Sequence, residues 1–489
     1  MSTKTIGYVL VATGALACLA SVLVDTLGFG DGGIQAAQLL GILAGLMVAM
    51  IGISLALHVP EARVDFAGGL RGWAGRLLDL PVEVWFLVGF LVTYGLLFLS
   101  PVFFNADRRI LYFSHFLPDR APIGFDLRFT LEQVKYWVTT RQSPYPTTHY
   151  PPLSYVLLSP LTLLGYPANY ILTSLLTFCS YLVLTLLIPA WLRVRDSAAA
   201  IAVLAISGLF SYGFLFELER GQYYSIAFLL CMLAITLFHR HHAWRLLAYV
   251  LFSVSVHLKI ALIFLLPMFV VDWRDWRGNL KRMGGLALFN LALLFVLGAR
   301  NLLAFMQALT SRVDTPTFLW NGNHALANFV FNFVKDGYGI LPEAGVQFLQ
   351  EHAGAFEGCL LAIIAICILA IIVQRYRYHQ SGFDPYLLLG CTICALVIPV
   401  SVDYTLPMLV APMAIFLSGL PGLKGPGLRR MLSILLLLVA SVSYASLLYP
   451  FKYKPYFLNN SFPALFLILV VMTALFFLQG RDALAGEVQ

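Results

Sequence analysis

The segment from Ser253 to Pro267 has the sequence SVSVHLKIALIFLLP. It forms the middle of an apolar run, 244–271, that has basic residues at both ends and a histidine and a lysine near its centre. A run of this kind is typical of a membrane segment, since about 20 apolar residues are needed to cross the bilayer core. Ionisable groups are costly at membrane depth, so we expect His257 and Lys259 to line a protein or water-filled cavity.

The rest of the chain has the same apolar character. Of its 489 residues, 60% are hydrophobic and 11% are charged, and the mean hydropathy is +0.84. A water-soluble domain could not bury so much apolar surface. The formal charge of +7 does not indicate a nucleic-acid partner, because the basic residues form short clusters between apolar runs. The sequence therefore predicts a polytopic membrane protein.

The lengths of the apolar runs predict about twelve to fourteen membrane segments. Only helices and closed barrels satisfy every backbone polar group in lipid, and runs this long and continuously apolar exclude a barrel. The predicted fold class is therefore all-α. The segments are 6–25, 35–58, 82–104, 150–165, 169–190, 198–216, 222–238, 244–271, 284–306, 356–374, 385–400, 404–420, 429–449 and 462–479.

Clusters of lysine and arginine set the predicted orientation, because short cytoplasmic loops are enriched in these residues. The clusters placed inside are 63–76, 193–195, 239–245, 274–282, 375–377 and 424–430. The loops that then fall outside are 105–149, 217–221, 307–355, 401–404 and 450–461.

Two apolar runs do not fit a simple alternation of inside and outside loops. The run 150–165 is short and opens with Tyr150-Pro151-Pro152, so we predict a re-entrant or partly inserted segment. The run 244–271 has basic residues at both ends, which predicts a broken hairpin that turns near Val256-His257-Leu258-Lys259. Such a turn would bring His257 and Lys259 to the outer side or to membrane depth.

The chain has no internal repeat and no low-complexity linker, so we expect one membrane domain whose function lies in its loops. Residues 1–60 hold two additional N-terminal helices, and 421–489 hold C-terminal helices. Between them, 82–420 form the core with two long outer loops, 105–149 and 307–355.

The first long outer loop contains the stretch TLEQVKYWVTT at Thr130 to Thr140. Leu131, Val134 and Val138 lie on one helical face of this stretch. The pattern predicts an amphipathic helix that lies along the membrane surface.

The seven cysteines are scattered through apolar segments. Even Cys391 and Cys394 have no second pair of ligands nearby in the sequence. Because a buried cysteine is usually only a small apolar side chain, we predict neither a metal site nor a disulfide at these positions. No cofactor is predicted for the chain.

Ionisable residues outside the basic clusters fall in the outer loops or the outer half of the membrane, and each is a functional candidate. They are Asp107, Arg108, Arg109, Asp119, Asp126, Arg128, His149, Glu217, Glu219, Arg220, His257, Lys259, His324 and Asp403. Their coincidence on one side predicts a single site.

Asp126 lies in GFDLRF, just before the predicted amphipathic helix. A carboxylate in this place is suited to act as a general base that takes a proton from an acceptor hydroxyl. The alternatives are a helix N-cap or a surface salt bridge with Arg128. Asp107 and Asp119 compete for the same role, since both lie in the same loop.

Lys259 needs an anionic partner, and a lipid-linked phosphate would be a mobile one. The alternative is a lysine whose head group snorkels to the interface. Arg220 and Gln222, in the outer turn ELERGQYY, form a second polar cluster, although Glu219 and Arg220 could simply pair.

Two more polar positions are candidates for substrate binding. His324, in NGNHALANF, is suited to hydrogen-bond a substrate hydroxyl or a leaving phosphate, and the alternative is a surface histidine. Asp403-Tyr404, in PVSVDYTLP, would bind a hydroxyl, shape the pocket or cap the next helix.

Taken in order, these residues resemble a known family. Asp126, then Ser143-Pro144-Tyr145, then Tyr150-Pro151-Pro152-Leu153 and Pro160 resemble the D…G-x-PY…YPP-L…P signature of the glycosyltransferase family GT87. These are polyprenyl-phosphate-dependent mannosyltransferases of the GT-C superfamily. Gly221-Gln222, Lys259 followed by Pro267, and the SVDY turn at 401–404 are similar to the later motifs of that family. The resemblance covers about residues 82–420, with Ser143 in place of the usual glycine and Asp403-Tyr404 in place of a turn rich in serine and histidine.

The resemblance implies a GT-C fold and a metal-independent, inverting transfer with an aspartate base, which by position is Asp126. It implies a polyprenyl-phosphate sugar donor, with a mannose-like hexose favoured, and a glycolipid or glycan acceptor. The active site would face the extracytoplasmic side of a bacterial inner membrane, in contact with membrane lipids. The candidates for binding the donor phosphate are Lys259, Arg220, His257 and Arg128. Those for binding substrate are Tyr145, His149, Tyr150, Gln222, His324, Asp403 and Tyr404.

Two other classes of protein remain open at this point. A transporter or flippase for lipid-linked sugars would also need many helices and intramembrane charge, but it would predict inverted repeats, which the sequence lacks. An oligosaccharide polymerase or ligase would rely on arginine and histidine in a large late loop, and Arg312 and His324 keep this alternative open.

Overall fold

The computed structural model describes residues 8–9, 12–17, 123–145, 150–192, 212–313, 323–337, 341–378, 382–398, 400–418 and 460–487, with scattered positions between 428 and 440. Within these ranges the chain is helical, and its one strand-like pairing is a single bridge between Asn323 and Val402. The predicted all-α class is confirmed for this part of the chain. The predicted segments 35–58 and 82–104 lie outside the described residues, as do most of 6–25, 198–216 and 429–449.

The α-helices of seven or more residues are numbered along the described chain. They are α1 Phe125–Thr140, α2 Pro152–Leu158, α3 Ala168–Leu182, α4 Tyr212–Arg220, α5 Tyr224–Arg240, α6 Arg245–Leu258, α7 Trp276–Leu294, α8 Ala299–Val313, α9 Leu326–Asp336, α10 Glu343–Glu351, α11 Ala353–Arg377, α12 Pro385–Val397, α13 Val410–Ser418 and α14 Phe462–Glu487. The longer 3-10 segments are Ser159–Leu163 after α2, Ile260–Phe269 after α6 and Asp403–Leu409 before α13.

Two helical stretches among the described residues are long and apolar enough to cross a membrane, namely Ala168–Thr185 and α11. The number rises to four if two bent pairs each form one span: α4 with α5, bent by 112°, and α7 with α8, bent by 101°. The run 150–165 forms the short apolar helix Pro152–Leu163. This agrees with the expectation that the run is shorter than a full membrane span. These apolar helices are those of a membrane protein.

The predicted broken hairpin is confirmed. The chain leaves α6 at Lys259, where the backbone is extended (φ −145°, ψ 100°). The 3-10 segment then runs back along α6, so that the ring centroid of Phe269 lies 4.6 Å from that of Phe252. Its Met268 carbonyl accepts a hydrogen bond from His239 at the end of α5 (2.7 Å). The two arms match, because an α-helix of 14 residues and a 3-10 helix of 10 residues are each about 20 Å long.

The predicted segment 284–306 contains a sharp bend between α7 and α8 that the sequence did not indicate. Helix α7 begins earlier, at Trp276, because the Asp275 carboxylate accepts a hydrogen bond from the backbone of Gly278 (3.0 Å). It ends at Leu294, and a tight turn follows in which Gly298 has a φ of +89°. Glycine tolerates this conformation at little cost, so the chain changes direction inside an apolar run.

Three of the basic loops that were predicted to share one side of the membrane lie within the described residues, and they meet at one end of the molecule. Arg274 donates to the carbonyl of Tyr376 (3.1 Å), and the backbone of Gly382 donates to Val271 (3.0 Å). We call this the basic end, formed by residues 239–245, 271–282, 375–378 and 382–384. The loops predicted on the other side meet at the opposite end, the loop end, formed by residues 124–126, 217–224, 323–324, 401–404 and 460–461.

A buried ion pair fastens α11 to α12 at the basic end. The side chains of Arg375 and Asp384 are each 4% exposed and are hydrogen-bonded to each other. The same carboxylate accepts from the backbone of Tyr386 (2.7 Å) and so caps α12. Arg375 also donates to the carbonyl of Gly382 (2.8 Å). Both charges are removed from water. Loss of either one would therefore leave the other buried without a compensating charge, which is costly.

We expect Asp384→Ala to destabilise the protein by about 3–5 kcal/mol, because it leaves a buried guanidinium unpaired. Asp275→Ala is a matched control, since Asp275 also caps a helix and pairs with an arginine, Arg282 (3.2 Å), but its side chain is 53% exposed. The control should lose only about 0.5–2 kcal/mol. Thermal denaturation of purified protein in detergent measures the stability of both variants. Equal losses of stability would contradict a special contribution from the buried Arg375–Asp384 pair.

Candidate functional site

The start of α1 lies directly against the turn between α4 and α5. The backbone of Gly124 donates to the carbonyl of Glu219 (2.7 Å). Gly124 and Gly221 both have positive φ, +77° and +66°. A Cβ placed on Gly221 would lie 2.8 Å from the Cβ of Leu127 and 3.1 Å from the Cα of Gly124. Glycine is therefore required at Gly221 by both its backbone conformation and its surroundings.

This contact brings Asp126, in the first turn of α1, to two donors on the α4–α5 turn. Its Oδ1 accepts from Nη2 of Arg220 (2.5 Å) and its Oδ2 accepts from Nε2 of Gln222 (2.6 Å). The structure thus joins three of the predicted site residues. Both alternatives for Asp126 are wrong: the N-cap position is Gly124, and the ion pair of Asp126 is formed with Arg220 rather than with Arg128.

Lys259 lies at the turn of the hairpin and is almost completely enclosed, with 5% of its surface exposed. Its Nζ donates to Oε1 of Gln222 (2.7 Å) and to the hydroxyl of Tyr150 (3.2 Å). The rings of Tyr150, Tyr223 and Tyr224 surround it, with centroids 4.8, 4.2 and 4.1 Å away. The snorkelling alternative is wrong, because the amino group ends inside this cage.

Gln222 connects the carboxylate to the ammonium. Its amide NH₂ donates to Asp126 while its amide oxygen accepts from Lys259. Among the described residues, no carboxylate oxygen lies within 4.0 Å of the Lys259 Nζ. The ammonium is held by neutral oxygens and aromatic faces, and its charge still attracts an anion.

Glu217 holds the turn that carries Arg220 and Gln222. It is fully buried, and its two carboxylate oxygens accept from the backbone and the hydroxyl of Ser225 (both 2.7 Å). Its carbonyl accepts from the backbone of Gln222 (2.8 Å). Glu217 therefore supplies the cap at the start of α5 from within α4. The sequence marked Glu217 as a candidate but gave no signal for this role.

The segment after α1 is fastened to the same site. The hydroxyl of Tyr145 donates to the carbonyl of Tyr150 (2.8 Å), and the hydroxyl of Ser154 donates to the carbonyl of His257. Burial raises the pKa of Tyr145, so its phenol stays protonated and keeps donating. His257 is buried behind the hairpin turn, and within the described chain its ring makes no hydrogen bond to Asp126, Arg220 or Lys259.

A second polar cluster lies at the loop end, around His324. The backbone of Ser461 donates to Nδ1 of His324 (3.1 Å), so the ring proton is on Nε2, which donates to Asp403 (3.1 Å). His324 is 1% exposed, and the alternative of a surface histidine is wrong. The Tyr404 ring lies 5.5 Å from the ring of Tyr224. This contact connects the second cluster to the cage around Lys259.

The remaining predicted residues either lie apart from these two clusters or fall outside the described residues. Arg128 pairs with Glu132 (3.8 Å) and lies over the ring of Tyr166. His149, Asp107 and Asp119 fall outside the described residues. Within the described part of the chain, no three His, Cys, Asp or Glu side chains are grouped so that they could bind one metal ion.

The predicted amphipathic helix is confirmed as α1, but its apolar face is covered by protein. Leu131 and Val134 are buried in the core, and Val138 packs against it. The exposed face carries Phe129 and Tyr136. The period of the apolar residues predicted the helix correctly. Its apolar face, however, packs against protein and not against the membrane surface that was expected.

The apolar helices indicate a membrane protein, and its polar side chains come together at the loop end. The sequence model of glycosyltransferase family 87 matches residues 148–402, more than half of the chain. The chain belongs to this family, GT87, whose members are glycosyltransferases of the GT-C type. No significant match was found among curated proteins or among solved structures.

We expect Gly221→Ala to reduce both stability and glycosyl transfer. The added methyl group meets Leu127 and forces a positive φ on alanine, which costs about 1–2 kcal/mol before any clash. Gly165→Ala is the control, because a Cβ there meets no atom within 4 Å. Denaturation midpoints and transfer rates of both variants in membranes test this, and equal effects would show that the close approach is unimportant.

Proposed function

We propose that this protein transfers a sugar, with a mannose-like hexose favoured, from a polyprenyl-phosphate donor to a hydroxyl of a glycolipid or glycan. The reaction would take place at the extracytoplasmic face of a bacterial inner membrane, with the loop end outside. Family membership supports glycosyl transfer in general. The observation that carries the proposal is the pairing of Asp126 with Gln222 and Arg220, next to the enclosed ammonium of Lys259.

The family match begins at residue 148, after Asp126. The assignment of Asp126 as the base therefore depends on geometry. The two donors that hold its carboxylate, Arg220 and Gln222, both lie inside the matched region. These bonds orient the carboxylate without using all of its capacity, because a carboxylate has about four lone-pair sites. A free site on either oxygen would accept the proton of the acceptor hydroxyl.

In the proposed reaction, Asp126 takes the proton as the acceptor oxygen attacks the anomeric carbon of the donor. The bond between that carbon and the phosphate oxygen breaks, and its electron pair leaves with the phosphate. Lys259 and Arg220 stabilise the charge that develops on the departing group. Attack opposite the leaving group inverts the anomeric configuration.

Arg220 has two tasks in this scheme. Its guanidinium carries five N–H donors, of which one is used on Asp126. Its Nε is buried, and the three remaining N–H groups are suited to a phosphate, which guanidinium groups bind with matched geometry. Its side chain is 35% exposed, so a donor approaching from the open side would reach Arg220 before the enclosed Lys259.

We expect Asp126→Asn to lower the transfer rate by about 10²–10⁴-fold, because the general base is lost. The denaturation midpoint should stay close to wild type, since asparagine fills the same volume. The assay uses membranes with radiolabelled polyprenyl-phosphate sugars, so that the product also identifies donor and acceptor. Glu132→Gln, a change of an exposed carboxylate on the same helix, is the control. Unreduced transfer by Asp126→Asn would remove Asp126 from the mechanism.

We expect Lys259→Met to weaken donor binding by about tenfold to a hundredfold, the loss of one charge-assisted hydrogen bond. Methionine preserves most of the side-chain volume inside the tyrosine cage. KM values for donor and acceptor are measured separately, with Lys135→Met on exposed α1 surface as the control. An equal rise of both KM values would indicate a structural lysine.

A further inference from the structure

An apolar groove runs along the surface of α11, far from the site at the loop end. Its walls are formed by one face of α11, with Ile366, Leu369 and Val373, and by Phe477 of α14. The volume is about 360 Å³, within the range of pockets that bind small ligands. Gln374 joins the two walls by donating to the carbonyl of Phe476 (3.4 Å).

The groove opens toward the basic end. Helix α14 starts next to Ser461, which contacts His324 at the loop end. Phe477 lies about 24 Å farther along the helix, at 1.5 Å per residue. Arg377 and Tyr378, at the end of α11, line the mouth of the groove. The groove is therefore separate from the proposed sugar-transfer site.

One guanidinium group, that of Arg377, lines this mouth, and a second, that of Arg274, lies against the adjacent end of α11. Arg377 is exposed, and Arg274 donates to the carbonyls of Tyr376 (3.1 Å) and Arg377 (3.5 Å). Among the described residues, no carboxylate oxygen lies within 4.0 Å of either guanidinium. Arg274 occupies the helix-terminal carbonyls, which would otherwise repel an anion, and keeps three of its five donors for other partners.

We propose that this groove binds one anionic phospholipid, with an acyl chain between α11 and Phe477 and the phosphate at Arg377 and Arg274. Basic pockets between membrane helices bind anionic head groups in this way. A zwitterionic lipid supplies the same acyl chain but adds an ammonium group that the two guanidiniums repel. With the phosphate in this place, Tyr378 would lie at the depth of the head groups, where aromatic side chains are enriched. The site is independent of sugar transfer.

The test uses the full-length protein, purified in detergent and stripped of lipid. Phosphatidylglycerol is the anionic probe, phosphatidylcholine the zwitterionic probe and glycerol phosphate the soluble one. Native mass spectrometry measures bound lipid, and thermal denaturation measures stabilisation. Wild type should bind phosphatidylglycerol at least tenfold more tightly than phosphatidylcholine, and glycerol phosphate should not stabilise it.

Two variants test the two halves of the site. Arg377→Ala removes the cation and Ala370→Phe fills the groove, and each should lower phosphatidylglycerol affinity at least tenfold. Arg277→Ala is the matched control, since Arg277 is exposed at the same end but lies over Trp276, outside the groove. Both lipids binding wild type equally, or neither binding, would overturn the proposal. So would an equal loss in Arg277→Ala, or unchanged binding in Ala370→Phe.

Discussion

A lysine ammonium removed from water must be surrounded by oxygen atoms and aromatic faces, and this requirement at Lys259 organises the loop end of the molecule. Lys259 reaches its position because α6 stops at Leu258 and the chain returns as a 3-10 segment. Its cage is drawn from Tyr150 before α2 and from Tyr223 and Tyr224 at the start of α5. Segments distant in sequence are therefore held together by one desolvated charge.

Around that charge, the site depends on backbone conformation as much as on side chains. Gly124 and Gly221 let α1 touch the α4–α5 turn, and Glu217 fixes the shape of that turn from a fully buried position. Asp126 is thus placed by the helix that carries it, while its two partners are placed by a separate turn. The carboxylate is preorganised because both sides of the contact are constrained independently.

Much of the fold could be predicted from the sequence where a physical signal was strong. Basic residues at both ends of 244–271 predicted the hairpin. The coincidence of ionisable residues on one predicted side of the membrane predicted that Asp126, Arg220 and Lys259 would share a site. The break at Gly298 was missed because a tight turn inside an apolar run leaves the composition unchanged. The surroundings of α1 were missed because the period of an apolar face does not distinguish a lipid surface from a protein surface. The role of Glu217 depends on the geometry of the turn, which the residue pattern does not specify.

Gln222 stands between a carboxylate and an ammonium and bonds to both. A primary amide transmits polarisation along hydrogen bonds, but it has no accessible second protonation state with which to pass a hydrogen ion onward. Asp126 and Lys259 therefore stay electrically coupled, but no proton passes between the acidic and the basic group through this bridge.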